Sequence, residues 1–558
     1  MNWGSVRASL AAGGVALLVV VLYAWLGADV FLAMVSQLGY LVTYGALVVC
    51  LVTVILTLVW YPRVRRGFSS PVAHAGLSVV KLLLLTTALI VAVQVGLLLV
   101  YADGLYLVSF SLFVVSLVMF TVRSAVTLGG AYLHKRQERR VDAGGLHGAP
   151  LVTVVVPAYN EEQAIGKTVD ALLSLTYAPT EIIVVDDGST DRTLEVARRY
   201  ADGDRVKVVA KANGGKWDAL NAGIKAAAGE FIVCIDADTL LDRQAVHRLV
   251  QHFADSQVGA VAGNVKVGNR RGVLTKLQAL EYVVGINLHR RSEACLEKVT
   301  VVPGPIGAFR ASVLADIGLF AGDTFAEDAD VTVRILKAGY KTVFEPRAFA
   351  YTEAPKALAS LAKQRYRWYR GSLQVLSKHR DMAFNRRYGR AGTVVMPWTL
   401  FNGVVFPWFM FFTLMWLLVF CFNPISPYTV YQPRGLVGPP TWAGGRPPVG
   451  AGPGAAPGAG PGSTTLGITL DFFQAIPYIY VFWFVAFAVL EVAIAAYALS
   501  LDFHEKRVLL IYAVPYRLVY TYVVDIMRMV SHLEEVFHYP MKWEKIDHQG
   551  TAALDNRT

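Results

Sequence analysis

Apolar runs of bilayer length leave a chain few possible folds, because in hydrocarbon only helices and closed barrels satisfy their own backbone. Six stretches reach roughly 20 apolar residues, enough to cross a bilayer as helices; they lie near 9–30, 37–60, 77–100, 105–127, 393–421 and 471–500. A seventh, near 508–526, is interrupted by Pro515, Arg517 and Asp525, so it reads either as a span or as a helix lying in the interface. The chain is 55% hydrophobic and only 17% charged, and its mean hydropathy is +0.45. Most of its charge falls between 135 and 390. The expectation is a multi-span α-helical membrane protein that carries one soluble domain.

Basic loops orient the spans. Arg63, Arg65 and Arg66 follow the second, and His134, Lys135, Arg136, Arg139 and Arg140 follow the fourth, whereas the intervening loop at 101–104 carries no basic residue. By the positive-inside rule both basic loops, and the soluble domain after them, face the cytoplasm. The first apolar run leads straight into a second, so it is expected to be a span and not a cleaved signal peptide. The net charge of +11 is explained by basic loops facing anionic lipid and implies no nucleic-acid partner. Cys50, Cys234, Cys295 and Cys421 show no metal-ligand or disulfide spacing. Residues 423–469 are rich in Gly, Pro and Ala, and read as a disordered loop on the outer face whose envelope partners, if any, are unknown.

The expected organisation is four spans in 1–130, a cytoplasmic domain over 145–380, a span at 390–422, the Gly/Pro loop at 423–469, one span plus a further membrane or interfacial helix in 470–530, and a tail at 531–558. Within the soluble domain, "LVTVVVPAYNE", "TEIIVVDDGSTD", "VKVVA" and "EFIVCIDAD" read as buried strands, and amphipathic helices lie between them. Such alternation implies an α/β fold with a largely parallel sheet. Ligands of these sheets bind at the carboxyl ends of the strands. Two of those ends are acidic: Asp186 with Asp187, and Asp236 with Asp238. In a strand residues i and i+2 face the same side, so Asp236 and Asp238 are expected to present two carboxylates to one point, as hard oxygen ligands for Mg²⁺ or Mn²⁺ beside a diphosphate. Lys216, after two glycines, supplies a further cation for that diphosphate.

The motifs "VVVPAYNE", "VVDDGSTD", "NGGKWDALNAG", "CIDADT", "GPIGAFR", "FAEDADVTVRILKAGY" and "QRYRW" occur in the order found in family 2 glycosyltransferases. Over about 151–380 the chain resembles the processive, membrane-embedded polysaccharide synthases of that family, those that make poly-N-acetylglucosamine, chitin, hyaluronan and cellulose. The resemblance implies a GT-A fold and a UDP-sugar donor. It implies that Tyr159, Glu161, Asp186 and Asp187 hold the nucleotide and that Asp236 and Asp238 hold the metal. Asp328, beside Glu327, is implied as general base of an inverting transfer. Ala326 stands where relatives read Thr or Gly. "GPIGAFR" and "YTEAP" look more like the N-acetylhexosamine polymerases, so UDP-N-acetylglucosamine is the expected donor.

On a helix, Gln364, Arg367 and Trp368 share one face, which matches the QxxRW motif. An arginine fork suits diphosphate oxygens, and a tryptophan face suits a sugar ring. Tyr366, Tyr369 and Arg370 read as belt residues of an interfacial helix. The growing polysaccharide would start its path here and pass along the aromatic-rich span that follows. A non-processive transferase onto a lipid carrier shares the DxD pair but usually lacks QxxRW. An ATP-driven transporter would need a GxxxxGK[ST] loop, and the chain has none.

Overall fold

The computed structural model describes residues 104–141, 146, 148–413, 491–502, 505–539 and 549–554. The expected spans 9–30, 37–60 and 77–100, the Gly/Pro loop 423–469 and residues 471–490 of the expected span 471–500 lie outside the described residues.

Eight strands form one sheet: β1 Val152–Ala158, β2 Thr180–Asp187, β3 Val206–Lys211, β4 Phe231–Cys234, β5 Leu240–Leu241, β6 Val258–Val267, β7 Gly307–Arg310 and β8 Lys341–Thr352. Their order is β3-β2-β1-β4-β7-β6-β8-β5. The β-branched runs Val154-Val155-Val156 and Ile182-Ile183-Val184 are fully buried, as strands covered on both faces require. β1 to β4 pair in parallel, as the sequence predicts. The second half departs from that prediction: β7 runs antiparallel between β4 and β6, and β5 runs antiparallel to β8, so the sheet is mixed. This insertion serves the site. Antiparallel pairing sets Gly307, where β7 begins, against Cys234, where β4 ends. The Pro303-Gly304-Pro305 turn therefore arrives where Asp236 departs.

The helices that carry or support the site are labelled in chain order: α1 Gly104–Val141, α2 Lys216–Ala226, α3 Leu288–Ala294, α4 Glu327–Lys337, α5 Leu358–Lys378 and α6 Thr521–Val536. The expected span at 105–127 lies within α1. Further along, α1 reaches the α/β domain through an ion pair between Glu138 and Arg291 of α3. Among the described residues one helix, Ala391–Thr413, is long and apolar enough to cross a membrane. It meets α1 through Ser116 Oγ to Thr413 Oγ1 at 2.8 Å and Arg123 Nε to Asn402 Oδ1 at 2.7 Å. The ambiguous stretch 508–526 folds as short helical turns that lead into α6. Its polar residues are spoken for: Tyr520 donates to Glu281 at 2.6 Å, and Arg517 lies over Phe120 at 5.5 Å.

Candidate active site

The carboxyl ends of β1 and β2 are joined by side chains that substitute for a ladder. Asn160, with φ at +53°, accepts the Thr190 amide at 2.7 Å on Oδ1, and its own amide donates to Ser189 Oγ at 2.9 Å. The Glu161 amide donates to Thr193 Oγ1 at 2.6 Å. Tyr159 and Glu161 therefore stand on a loop that is fixed to the one after Asp187. The two aspartates divide their work. Asp187 accepts the Gly214 amide at 3.0 Å, the Gly215 amide at 2.8 Å and Lys211 at 2.7 Å, so it shapes the glycine turn ahead of α2. Asp186 accepts only the Ser189 amide on Oδ2, at 3.2 Å; its buried Oδ1 finds no partner among the described residues. That buried oxygen is the one carboxylate oxygen of the two aspartates without a bond among the described residues.

The glycine turn delivers Lys216, the first residue of α2, to the centre. Its ammonium lies 2.5 Å from Asp236 Oδ1 and 3.2 Å from Glu327 Oε1. Burial opposes its charge, but Asp236 and Glu327 outweigh that and hold Lys216 well above its usual pKa. Asp236 and Asp238 do not lie on the strand as alternation supposes. β4 stops at Cys234, and the Thr239 amide bonds back to the Asp236 carbonyl at 3.1 Å, closing a turn. Asp236 faces Lys216, whereas Asp238 accepts Thr352 at 3.1 Å and Thr239 at 3.3 Å. Both are hard oxygen donors. Among the described residues no cluster of three or more His, Cys, Asp or Glu is placed to hold a metal ion by itself. A divalent cation bound here would take these two carboxylates together with ligands from outside the chain.

Opposite stands the start of α4. Asp328 accepts the Ala329 amide at 2.8 Å and the Gly304 amide at 3.3 Å. Burial, and then the charge of Glu327, push its pKa up to about 6 against the opposing pull of Lys216 and the two amides. Arg290 of α3 also feels the charge of Asp328. Burial draws its guanidinium down to about 10 against the attraction of Asp328, and its Nη1 finds no partner among the described residues. Nothing in the sequence marked this arginine. Arg367 of α5 feels the charges of Glu327 and Asp236, although burial dominates and lowers its pKa.

α5 can approach this closely because of Gly371. A Cβ there would stand 2.8 Å from the Ala326 amide and Cβ, so two small residues set the spacing between the QxxRW helix and the acidic pair. Two residues beyond the pair, Asp330 anchors α4 to the end of α5. Burial would raise its pKa, but bonds from His379 and Lys378, each 2.8 Å long, and the charge of Arg334 hold it well below the usual range.

A model of the glycosyltransferase-like family 2 matches residues 149–371. This segment is a family 2 glycosyltransferase domain. The poly-β-1,6-N-acetyl-D-glucosamine synthase of Staphylococcus aureus (strain COL) is 35% identical over 246 residues, which are 44% of this chain and 58% of that protein. The synthase of the same name from Staphylococcus epidermidis is 34% identical over 227 residues, 40% of this chain and 55% of that protein. The chain thus spans little more than half the length of the relatives it matches. Among solved structures, a mannosyltransferase from Pyrobaculum calidifontis in complex with GDP-Man and Mn²⁺ aligns at 19% identity and a TM-score of 0.45, covering 76% of this chain and 99% of that one. The glycosyltransferase domain is α/β and GT-A-like, built on the mixed sheet described above.

In this glycosyltransferase domain the QRYRW stretch is held differently from the sequence expectation. Arg365, which helical spacing turns away from the motif face, is fully buried. It pairs with Glu281 at 2.5 Å, donates to Gln364 Oε1 at 2.5 Å and lies over the Trp368 ring at 4.1 Å. The motif's glutamine and tryptophan are therefore both positioned by this arginine. Tyr366 and Arg370, expected as belt residues, have partners within the protein: Tyr366 bonds Glu534, and Arg370 bonds Glu535 at 2.5 Å, both on α6. Tyr369 lies under Arg528 of the same helix, at 4.3 Å. Arg365→Met is expected to cost about 3–5 kcal/mol, because it strands the Glu281 carboxylate in a buried setting. Thermal unfolding of the purified variant measures this. A midpoint close to that of the unaltered protein would mean that Glu281 finds another partner or becomes neutral.

Proposed function

We propose that this protein is a membrane-embedded, inverting β-glycosyltransferase that polymerises N-acetylglucosamine from UDP-N-acetylglucosamine and passes the product across the cell membrane. The observation that carries the reading is the meeting of Asp328, with its raised pKa, and the Lys216–Asp236–Glu327 cluster at the carboxyl end of the sheet. The names of the relatives support the choice of sugar. In the proposed reaction Asp328 takes the proton of an acceptor hydroxyl as its oxygen bonds to the anomeric carbon. The bond from that carbon to the diphosphate breaks, and its electron pair leaves with UDP.

Tyr159, Glu161, Asp186 and Asp187 form the nucleotide end in this reading, and the unpaired Oδ1 of Asp186 is the carboxylate oxygen left for the nucleotide. Lys216 and Arg367 face the diphosphate. Asp236 and Asp238 would hold Mg²⁺ or Mn²⁺, which would neutralise the departing diphosphate. Trp368 and Gln364 receive the acceptor end of the chain. The domain at 145–380 faces the cytoplasm, and the polymer leaves along the span beginning at 391. There Trp398 stacks on Phe401 at 5.4 Å between centroids, and Trp408 lies 5.8 Å from Phe412; such ring faces suit a sliding sugar chain.

The test is incubation of the full-length protein, in sealed vesicles with the catalytic domain outward, with a panel of labelled UDP-sugars. Label from UDP-N-acetylglucosamine is expected in long polymer that an external hydrolase cannot reach. Incorporation from UDP-glucose alone would sink the N-acetyl reading. Polymer that stays wholly accessible would assign export to another protein, and a single sugar on lipid would establish the non-processive alternative.

A further inference from the structure

Two features remain unused: the end of the tail at 549–554, for which the sequence offers no role, and Glu353 in the "YTEAP" stretch ahead of α5. They meet. Glu353 is buried, and its Oε2 accepts the amides of Gln549 at 3.1 Å and Thr551 at 3.0 Å, while Oε1 accepts the Thr551 hydroxyl at 2.7 Å. Lys356 donates to Gln549 Oε1 at 2.7 Å. On its other side the tail carries Gly550, whose carbonyl accepts Lys167 at 2.5 Å. Gly550 has φ at +59°, and the Gln163 carbonyl stands where a Cβ would point, so both the backbone conformation and the space demand glycine. Ala552 and Leu554 then cover an apolar cluster of Ala171, Leu240, Phe349 and Tyr351.

The contacts join two parts of the site. Gln163 and Lys167 flank the start of the Ile165–Leu173 helix, whose first amides, Ala164 and Ile165, each bond the Glu161 carbonyl at 3.0 Å. From the same helix Thr168 donates to the Ala237 carbonyl, between Asp236 and Asp238, at 2.7 Å. One helix thus supports both the Tyr159–Glu161 loop and the acidic turn. Glu353 and Lys356, on the other side, lie in the lead into the QxxRW helix. We propose that residues 549–554 are a staple, with Glu353 as its positioning residue, that fixes the donor-side helix relative to the lead of the QxxRW helix. The staple touches no reacting atom. It rests on the donor-site reading given above.

The experiment uses the full-length protein, the variants Glu353→Gln and Gly550→Val, and a variant ending at His548. Two quantities are read: hydrogen exchange of amides 161–173, and kcat and KM with UDP-N-acetylglucosamine. In all three variants exchange at 161–173 is expected to quicken. The donor KM should rise about tenfold, as loss of a charge-assisted contact implies, while kcat stays within about twofold. Added peptide QGTAALDNRT should restore the KM of the shortened variant. Unchanged exchange, a kcat that falls while KM holds, or failure of the peptide to restore KM overturns the staple. If the unaltered protein transfers no sugar from UDP-N-acetylglucosamine, the polymerase reading falls, and the exchange comparison decides the staple alone.

Discussion

Replacement of Asp328 by asparagine is expected to slow sugar transfer by about 10²–10⁴-fold, the range for loss of a positioned general base. The amide keeps the shape of the carboxylate and its one oxygen can still accept the Ala329 amide, which bonds Oδ1, although not also the Gly304 amide on Oδ2, and it takes no proton. UDP binding, read by calorimetry, should stay within a few-fold of the original. The pH profile gives a second handle. Burial and Glu327 raise the Asp328 pKa to about 6, and the base works only when ionised. The turnover of the unaltered enzyme should therefore be level above about pH 6 and fall roughly tenfold per unit below it. That inflection should vanish in the residual rate of the asparagine variant. Near-normal turnover would move the base to Glu327, which shares the turn.

Chelation should have an effect as large. With EDTA, transfer is expected to stop, and Mg²⁺ or Mn²⁺ should restore it. The physical reason lies in the charge count of the site. Lys216 is already engaged by Asp236 and Glu327, so a diphosphate entering alone meets the carboxyl groups of Asp236, Asp238, Glu327 and Asp328 and one shared ammonium besides the arginines. A divalent cation between Asp236, Asp238 and the diphosphate reverses that balance. The measurement is the rate with and without added metal, together with UDP affinity, which should fall in parallel. Full activity in chelator would leave Lys216, Arg290 and Arg367 to neutralise the leaving group unaided.

The first half of the sheet was legible because its strands are buried on both faces and announce themselves as Val/Ile runs, with acidic ends that mark the ligand side. Asp328 and Lys216 each sit in a motif with its own local signal, and the structure places Lys216 3.2 Å from Glu327, the neighbour of Asp328 in the chain. What could not be read depends on partners far along the chain. β7 is four residues long and carries no periodicity, yet it brings Gly304 to Asp328. The acidic turn looked like strand because the apolar pattern continues through Ile235, and only the Thr239–Asp236 bond shows the chain leaving the sheet. The arginines of QRYRWYRG were assigned by helical spacing, a rule about neighbours on the same helix. Their partners are Glu281 and Glu535, which no rule of spacing connects to them. Gly371 and Gly550 look like ordinary glycines until the neighbour that excludes a side chain is known.

Those distant partners also bear on modularity. The homologous segment ends at Gly371, but the forces that hold its last helix do not. A fragment cut at that point would leave Arg370 without Glu535 and Glu281 without Tyr520, and would expose the face of α5 that α6 covers. Such a piece, however well expressed, would have charged groups stranded beneath the helix that presents Trp368. The smallest autonomous form of this enzyme is therefore longer than its recognisable domain. Fusions or chimaeras meant to exchange sugar preference must carry the 513–536 stretch together with the catalytic core, because the two share one set of buried charges.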